Sequence, residues 1–463
     1  MERSANRVGP PYMNRARTRV TRAFNTFIEK EASGGIAILV AAIVALLVGN
    51  SRFGGAYVQL WHTDVGLSIG GHALRLSLQH WINDGLMTIF FFVVGLEIKR
   101  EILVGELSTA RKAALPVIGA AGGAALPALI YFALNHTGPY RHGWGIPMAT
   151  DIAFAVGLLA LLGSRAPLWL KTFVTALAIA DDILAVLVIA LFYSADLNIG
   201  ALWWAGAMMC VLALLNRAGV RSTWAYVIPA IALWYVVLQS GVHATIAGVI
   251  AAAFVPASFP DETPERTASD LQKAFVGYAR ALAPFDSSEE GLDAKDIREE
   301  ILRDLAREVT ASEAPLYRLE HSLHPWVAFL ILPLFAFANA GVRIPLATLG
   351  EALTHPLTLG VSLGLFFGKQ IGITAAAWLA VRLGVAELAA GGHWRTLWGG
   401  ALLAGVGFTM SIFIASLAFA EPEALDLAKI GILGGSVISG LAGYVALRAA
   451  PAGPNVREEV PMG

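Results

Sequence analysis

Cysteine is almost missing from this sequence. Cys210 is the only one among 463 residues, which excludes an internal disulfide and any cysteine-clustered zinc or iron–sulfur centre. It falls in an apolar run and reads there as a small buried hydrophobe rather than a reactive thiol. Charge is scarce as well: Asp, Glu, Lys and Arg make up 14% of the chain, where soluble proteins carry about a quarter. The net charge of −1 leaves no basic excess to hold nucleic acid. What abounds is apolar, 56% of all residues. These proportions describe an all-α polytopic membrane protein.

Twelve apolar segments are each about long enough to cross a hydrocarbon core of ~30 Å as a helix. They lie at 34–50, 81–98, 113–134, 143–163, 168–192, 198–216, 222–239, 241–257, 323–340, 357–381, 396–419 and 428–448. Between Thr223 and Val255 only "QSGVH" (239–243) divides the run. The organisation is thus a basic arm (1–30), helices one to eight (31–257), a long loop (258–322), helices nine to twelve (323–448) and a tail (449–463). The arm holds seven Lys/Arg but also Glu29, with Glu31 just beyond it and no small-residue cleavage site before Gly34. It reads as an uncleaved cytoplasmic arm, not a signal peptide.

Alternate connections differ sharply in basic residues, one set holding 27 Lys/Arg and the other 4. Without the long loop the ratio is still 19 to 4, so the positive-inside rule places both termini and that loop in the cytoplasm. Two connections have internal order. "VGLSIGGHALRLSLQ" (65–79) alternates apolar and polar residues on both sides of Gly70-Gly71, the pattern of a β-hairpin with a two-residue turn. Pairing with a second subunit would stabilise so small a sheet. In the long loop, Ile297, Ile301, Leu305 and Val309 recur four apart within 291–309. They make one apolar stripe on a charged helix that rests on the membrane surface or on other loops; a solvated helical insertion is an equal reading.

Residues 177–192 read "LAIADDILAVLVIALF", fourteen of sixteen apolar and the other two the adjacent Asp181 and Asp182. An ionised Asp at a helix centre costs about 2.5–3.5 kcal/mol on the insertion scale. Fourteen Leu, Ile, Val and Phe residues in 168–192 each return about 0.3–0.6 kcal/mol. The pair is tolerated, but it cancels most of the segment's insertion energy. Gluing helices together needs only a hydroxyl or an amide, so a functional site is the stronger reading and ion-paired packing the weaker. Lys369, in "LGLFFGKQIGITAAAW", sits at the middle of segment ten, and Asp151 follows Thr150 in "GIPMATDIAFAVG" of segment four. Three acids and one lysine leave negative charge to spare. Neighbouring helix positions point about 100° apart, so one aspartate meets Lys369 while the other faces a water-filled funnel.

The backbone near these residues is interrupted. Gly145 and Pro147 precede Thr150-Asp151, and Gly405 and Gly407 precede Thr409 in "LLAGVGFTMSIFIASL". Thr150 and Phe154 echo Thr409 and Phe413. Paired interrupted helices in two halves mark a transporter site at an inverted-repeat interface.

Taken in order, "INDGLMTIFFFVVGLEIKRE", "MATDIAFAVG", "ALAIADDILAVL", "SGVHATIAGV", "LEHSLHPWVAFLILPLFAFANAG", "GLFFGKQIG" and "GVGFTMSIFIASLAF" resemble the NhaA family of sodium/proton antiporters from about residue 24 to about 448. The interrupted-helix rule is itself drawn partly from that family, so its fit is not independent support. The resemblance implies twelve transmembrane helices with inverted repeats, helices four and eleven unwound and crossing at mid-membrane. It implies homodimers joined through a periplasmic hairpin at 65–79, in the inner membrane of a bacterium. By the same likeness Asp182 is the principal cation and proton site, Asp181 is the ion-pair partner of Lys369, and Thr150 and Asp151 stand at the break of helix four. The pH-responsive positions map to Glu97, Arg100, Glu101, Arg318 and Glu320, with His243 and Asp84. For "EIKRE" a solvated salt-bridge face is an equal reading, and for His243 a hydrogen-bonded helix-end histidine is the stronger one. Tyr317 stands where some members carry lysine, and the 258–322 loop is longer than in short members, so the pH set-point does not carry over.

The activity implied is electrogenic, pH-regulated export of Na+, with Li+ as a further substrate, in exchange for external H+ by alternating access, with no cofactor and no enzymatic step. A carboxylate binds either Na+ or a proton, and competition at one carboxylate couples the two ions. The alternative is a proton- or sodium-coupled carrier of a small organic solute, which would need side chains for a larger substrate. An intramembrane aspartyl protease needs its two acids on separate helices, and a channel wants no basic residue in a cation path.

Overall fold

The computed structural model describes residues 33–69, 72–194, 197–220, 222–257, 314–342, 349–389 and 391–450. The basic arm, the Gly70-Gly71 turn, the stripe at 291–309, most of the 258–322 loop and nearly all of the tail lie outside the described residues.

In lipid every backbone polar group must be satisfied within its own segment, and long runs of Leu, Ile, Val and Ala accordingly form helices here. In chain order they are α1 (Ser33–Gly49), α2 (Gly54–Trp61), the strands β1 (Asp64–Ile69) and β2 (His72–Ser77), and α3 (Met87–Leu103), entered through a π-helical turn at Trp81–Leu86. Then come α4 (Ala110–Leu134), a 3-10 helix Pro139–Met148, α5 (Ile152–Leu161), α6 (Leu168–Phe192), α7 (Ile199–Arg217), α8 (Thr223–Leu238) and α9 (Ile246–Phe254). The last group is α10 (Pro315–Trp326), a π turn Val327–Ile331, α11 (Leu332–Asn339), α12 (Leu349–Thr354) and α13 (Pro356–Leu363). It continues with a π turn Gly364–Gly368, α14 (Lys369–Arg382), α15 (Trp394–Leu403), α16 (Phe408–Ala418) and α17 (Pro422–Ala449).

Among the described residues, seven helical stretches are long and apolar enough to cross a membrane, and nine if each of two bent pairs counts as one span. The chain is a multi-pass, helical membrane protein. Each of the twelve apolar segments overlaps helix, with local departures. Helix in the eighth covers only Ile246–Phe254, because Gly241 takes a left-handed φ of 82° and the turn runs on through His243, whose carbonyl accepts from Ile246 N. The helix leading into segment nine starts at Pro315, so Glu320 is inside it. Segment eleven is two helices bent by 48°. The hairpin strands pair antiparallel from Asp64↔Ser77 to Ile69↔His72, and Trp81 Nε1 donates to Val65 O at 3.0 Å. Cys210 is a correction: it is exposed on α7 rather than buried, since a face that meets hydrocarbon accepts a weakly polar thiol as readily as a core does.

The chain forms two compact units. One comprises Met1–Met87, Val104–Tyr193 and Val327–Gly463, the other Thr88–Leu103 and Ser194–Trp326. The larger unit packs a core that includes Leu159, Leu170, Val174, Leu177, Ile373 and Leu397. The smaller unit has its own core, with Leu96, Leu212, Tyr226, Leu233, Ala252 and Leu316.

Candidate functional site

In the larger unit, α6 carries Asp181 and Asp182 near its middle, both buried. Lys369 opens α14 directly after the π turn Gly364–Gly368. It is fully buried, and its Nζ donates to Asp181 Oδ2 at 2.5 Å. Asp181 Oδ1 is buried with no hydrogen-bond partner among the described residues. Asp182 adds its charge to the field at Lys369. Close approach of α4 to α14 walls this centre: a Cβ on Gly372 would stand 2.2 Å from Gly122 O, so only glycine fits.

Asp151 binds two helix ends at once. As the N-cap of α5 it accepts from Phe154 N through Oδ1 at 3.2 Å. Its Oδ2 accepts from Thr409 N at 3.0 Å and from the Thr409 hydroxyl. A carboxylate therefore sits where the positive ends of α5 and α16 come together. The opposite ends are met by donors: Thr150 Oγ1 donates to Ala404 O at 2.8 Å, Asp151 N to Val406 O at 2.7 Å, and Ser411 Oγ to Ile146 O at 2.8 Å. These bonds satisfy backbone groups that interrupted helices leave open. Thr409, Ser411 and Ser436 are side chains of this helix break that the sequence reading did not single out as site members. Ser436, on α17, accepts from Phe408 N at 3.2 Å. The signal for Thr409 was present in its echo of Thr150; Ser436 has none, since it acts from a different helix.

The smaller unit gathers most of the pH-response candidates. Arg100 on α3 donates to Glu320 on α10 and, at 3.2 Å, to Glu101. His324 Nδ1 lies 3.7 Å from Glu97 Oε1, an ion pair whenever the imidazole is protonated. His324 was missed, although its spacing of four from Glu320 matches that of Glu97 and Glu101 on the facing helix. Arg318 is two residues from Glu320 and so points to a different side of α10. His243 occupies the turn before α9, half-buried. Tyr317 packs against the apolar core of this unit. Asp84 belongs to the larger unit, in the π turn Trp81–Leu86. Beside it Asn83 accepts from buried Asn339 Nδ2 at 2.8 Å.

Residues 25–447 match the family model described as Na+/H+ antiporter 1. The chain belongs to that family. Among its relatives is the "Na(+)/H(+) antiporter NhaA" of Syntrophobacter fumaroxidans, 47% identical over 428 residues that make up 92% of this chain and 90% of the relative. The protein of the same name from Oleidesulfovibrio alaskensis is 47% identical over 92% of this chain and 93% of its own. That of Sulfurimonas denitrificans is 44% identical over 94% and 97%. The matched range, residues 25–447, contains the aspartate pair, both interrupted helices and the Arg100–Glu320 group.

Proposed function

We propose that the protein exchanges Na+, and also Li+, for protons, exporting the metal ion as external protons enter. The observation that carries this reading is the buried Lys369–Asp181 pair, to which Asp182 adds a second carboxylate on the same helix turn, with a further buried carboxylate, Asp151, at the break between helices α5 and α16. Sodium seeks oxygen ligands, and a carboxylate holds a metal ion or a proton but not both well. Asp182 is the site of that competition. Asp181 balances Lys369 and offers its second oxygen, Oδ1, to the ion. Asp151 stabilises the helix ends so that the break persists without a bound ion. Facing inward, the site releases protons and takes Na+; rocking of one repeat against the other exposes it outward, where protons displace Na+. Two protons exchanged per Na+ would make the cycle electrogenic.

The remaining architecture follows the same reading. All twelve segments span the inner membrane of a bacterium, with both termini and the 258–322 loop in the cytoplasm. Helices four and eleven cross at mid-membrane. The hairpin at 65–79 lies on the periplasmic side and joins two subunits. The Arg100–Glu320 group, with Glu97, Glu101 and Arg318, adjusts activity to cytoplasmic pH, with Asp84 and His243 as further contributors. Labelled Na+ uptake into everted vesicles, with and without an imposed pH gradient, tests the exchange directly. Uptake that tracks the gradient and needs no organic solute is the expected result; uptake indifferent to the gradient overturns it.

A further inference from the structure

Among the described residues, no backbone donor meets the last carbonyls of the short helix α9. Lys99, on α3, reaches across with Nζ donating to Ala253 O at 2.8 Å and to Val255 O at 2.6 Å. Asn216, near the end of α7, donates to the carbonyl between them, Phe254 O, at 2.6 Å. Pro256 O then accepts from Leu316 N, in the first turn of α10. Three elements thus converge on one helix end, and a cation there also suits the negative end of the helix dipole. The next residue on α3, Arg100, is the one that holds Glu320 on α10.

Earlier along both helices, one turn and about three turns before Lys99, α3 and α9 already touch. A Cβ on Gly95 would lie 2.7 Å from Ala252 Cβ, and one on Gly248 would lie 2.3 Å from Thr88 O. Those glycines set how near α3 and α9 come, but such a smooth contact lets one helix slide or turn on the other. The two bonds from Lys99 remove that freedom, because a single ammonium bridging carbonyls two residues apart has one position on the helix end. Among the described residues, the charged groups around the Arg100–Glu320 pair are Glu97 and Glu101 on α3 and Arg318, His321 and His324 on α10. Helix α9 has no charged residue, and α7 brings Arg217 beside Asn216.

We propose that Lys99 is a positioning residue for the Arg100–Glu320 pair: by clamping the carbonyls of Ala253 and Val255 it fixes the turn of α3 from which Arg100 meets Glu320, and so helps set the pH at which exchange switches on. This rests on the reading of that group as the pH-responsive element.

The test follows Na+-dependent proton release across a pH series in proteoliposomes of the full chain. Lys99→Met keeps the aliphatic stem and loses the donors. Its half-activation pH should move by about half a unit, roughly threefold in effective proton affinity, while the rate at the optimum and the KM for Na+ stay within about twofold. Lys99→Arg, which retains charge and donors, should restore the original midpoint. Asn216→Ala removes a cap from the same helix end without touching α3 and should leave the midpoint in place. An unmoved midpoint in Lys99→Met, or a loss of rate at every pH with the midpoint unchanged, overturns the proposal. Should the Met variant not assemble, Lys99→Gln, too short to reach both carbonyls, decides by the same criterion. Glu320→Gln separates the two levels: if it leaves the midpoint unmoved, the pH-responsive reading fails. If it moves the midpoint and the Lys99 variants do not, only the positioning role fails.

Discussion

The two units each hold a lysine- or arginine-to-carboxylate bond, and the two bonds live in different media. The side chains of Lys369 and Asp181 are 0% and 1% exposed; those of Arg100 and Glu320 are 27% and 6% exposed and share their surroundings with Glu97, Glu101 and His324. The first pair is sealed from solvent, so removing either partner leaves a bare charge in a dry interior. In the second, neighbouring charges and solvent absorb much of any change. In the proposed reading, the same chemistry therefore serves in one unit as a fixed element of the ion site and in the other as an adjustable one.

Asp182→Asn tests that contrast most severely. It should reduce exchange by at least a hundredfold at every pH while the protein still assembles, as read by dye-monitored proton release and size-exclusion of the purified chain. Retained exchange with unaltered Na+ affinity would move the competition away from Asp182. Lys369→Gln comes next. It strands Asp181 and should destabilise the fold by about 3–5 kcal/mol, the usual cost of breaking a buried pair, measured as loss of thermal stability in detergent. Lys369→Arg keeps the charge but cannot release a proton, so it should preserve exchange that responds to membrane potential. An Arg variant that exchanges Na+ but ignores the potential would instead make Lys369 a proton carrier.

A smaller effect is expected at the break. Ser436→Ala removes the acceptor for Phe408 N and should cost about 1 kcal/mol, as for other helix caps, raising the KM for Na+ more than it lowers the maximal rate. The smallest change in stability belongs to Glu320→Gln, within about 1 kcal/mol for a partly exposed pair, with its main effect on the pH midpoint. That shift should shrink as salt rises, because charges that reach solvent are screened over about 8–10 Å near physiological ionic strength. A stability change as large as that of Lys369→Gln would erase the distinction between the units.

Much of this was legible in the chain. Segment five, read from the sequence as 168–192, has the same bounds as helix α6, because an unbroken apolar run long enough to cross the bilayer has no competing conformation. Hairpin strands at 64–69 and 72–77 follow from alternation around two glycines. The interruptions at 149–151 and 404–407 were announced by Gly and Pro, whose local cost is independent of context. Less legible were helix ends fixed by neighbours, such as the start of α10 at Pro315 and the shortness of α9, and side chains that act across elements.

Composition and local pattern alone thus determined that the chain lives in a membrane, where its helices lie and which charges are too costly to be incidental, since burial in hydrocarbon penalises a carboxylate wherever the segment goes. Pairing was decided only by the tertiary structure. That Lys369 takes Asp181 Oδ2, that Asp151 serves α5 and α16 together, and that Lys99 rather than an acid closes the end of α9 depend on azimuth and register between helices. Those are set by the close approach of Gly122 to Gly372 and by bonds such as those from Lys99 to the end of α9, which join residues far apart in sequence and leave no periodic trace along it.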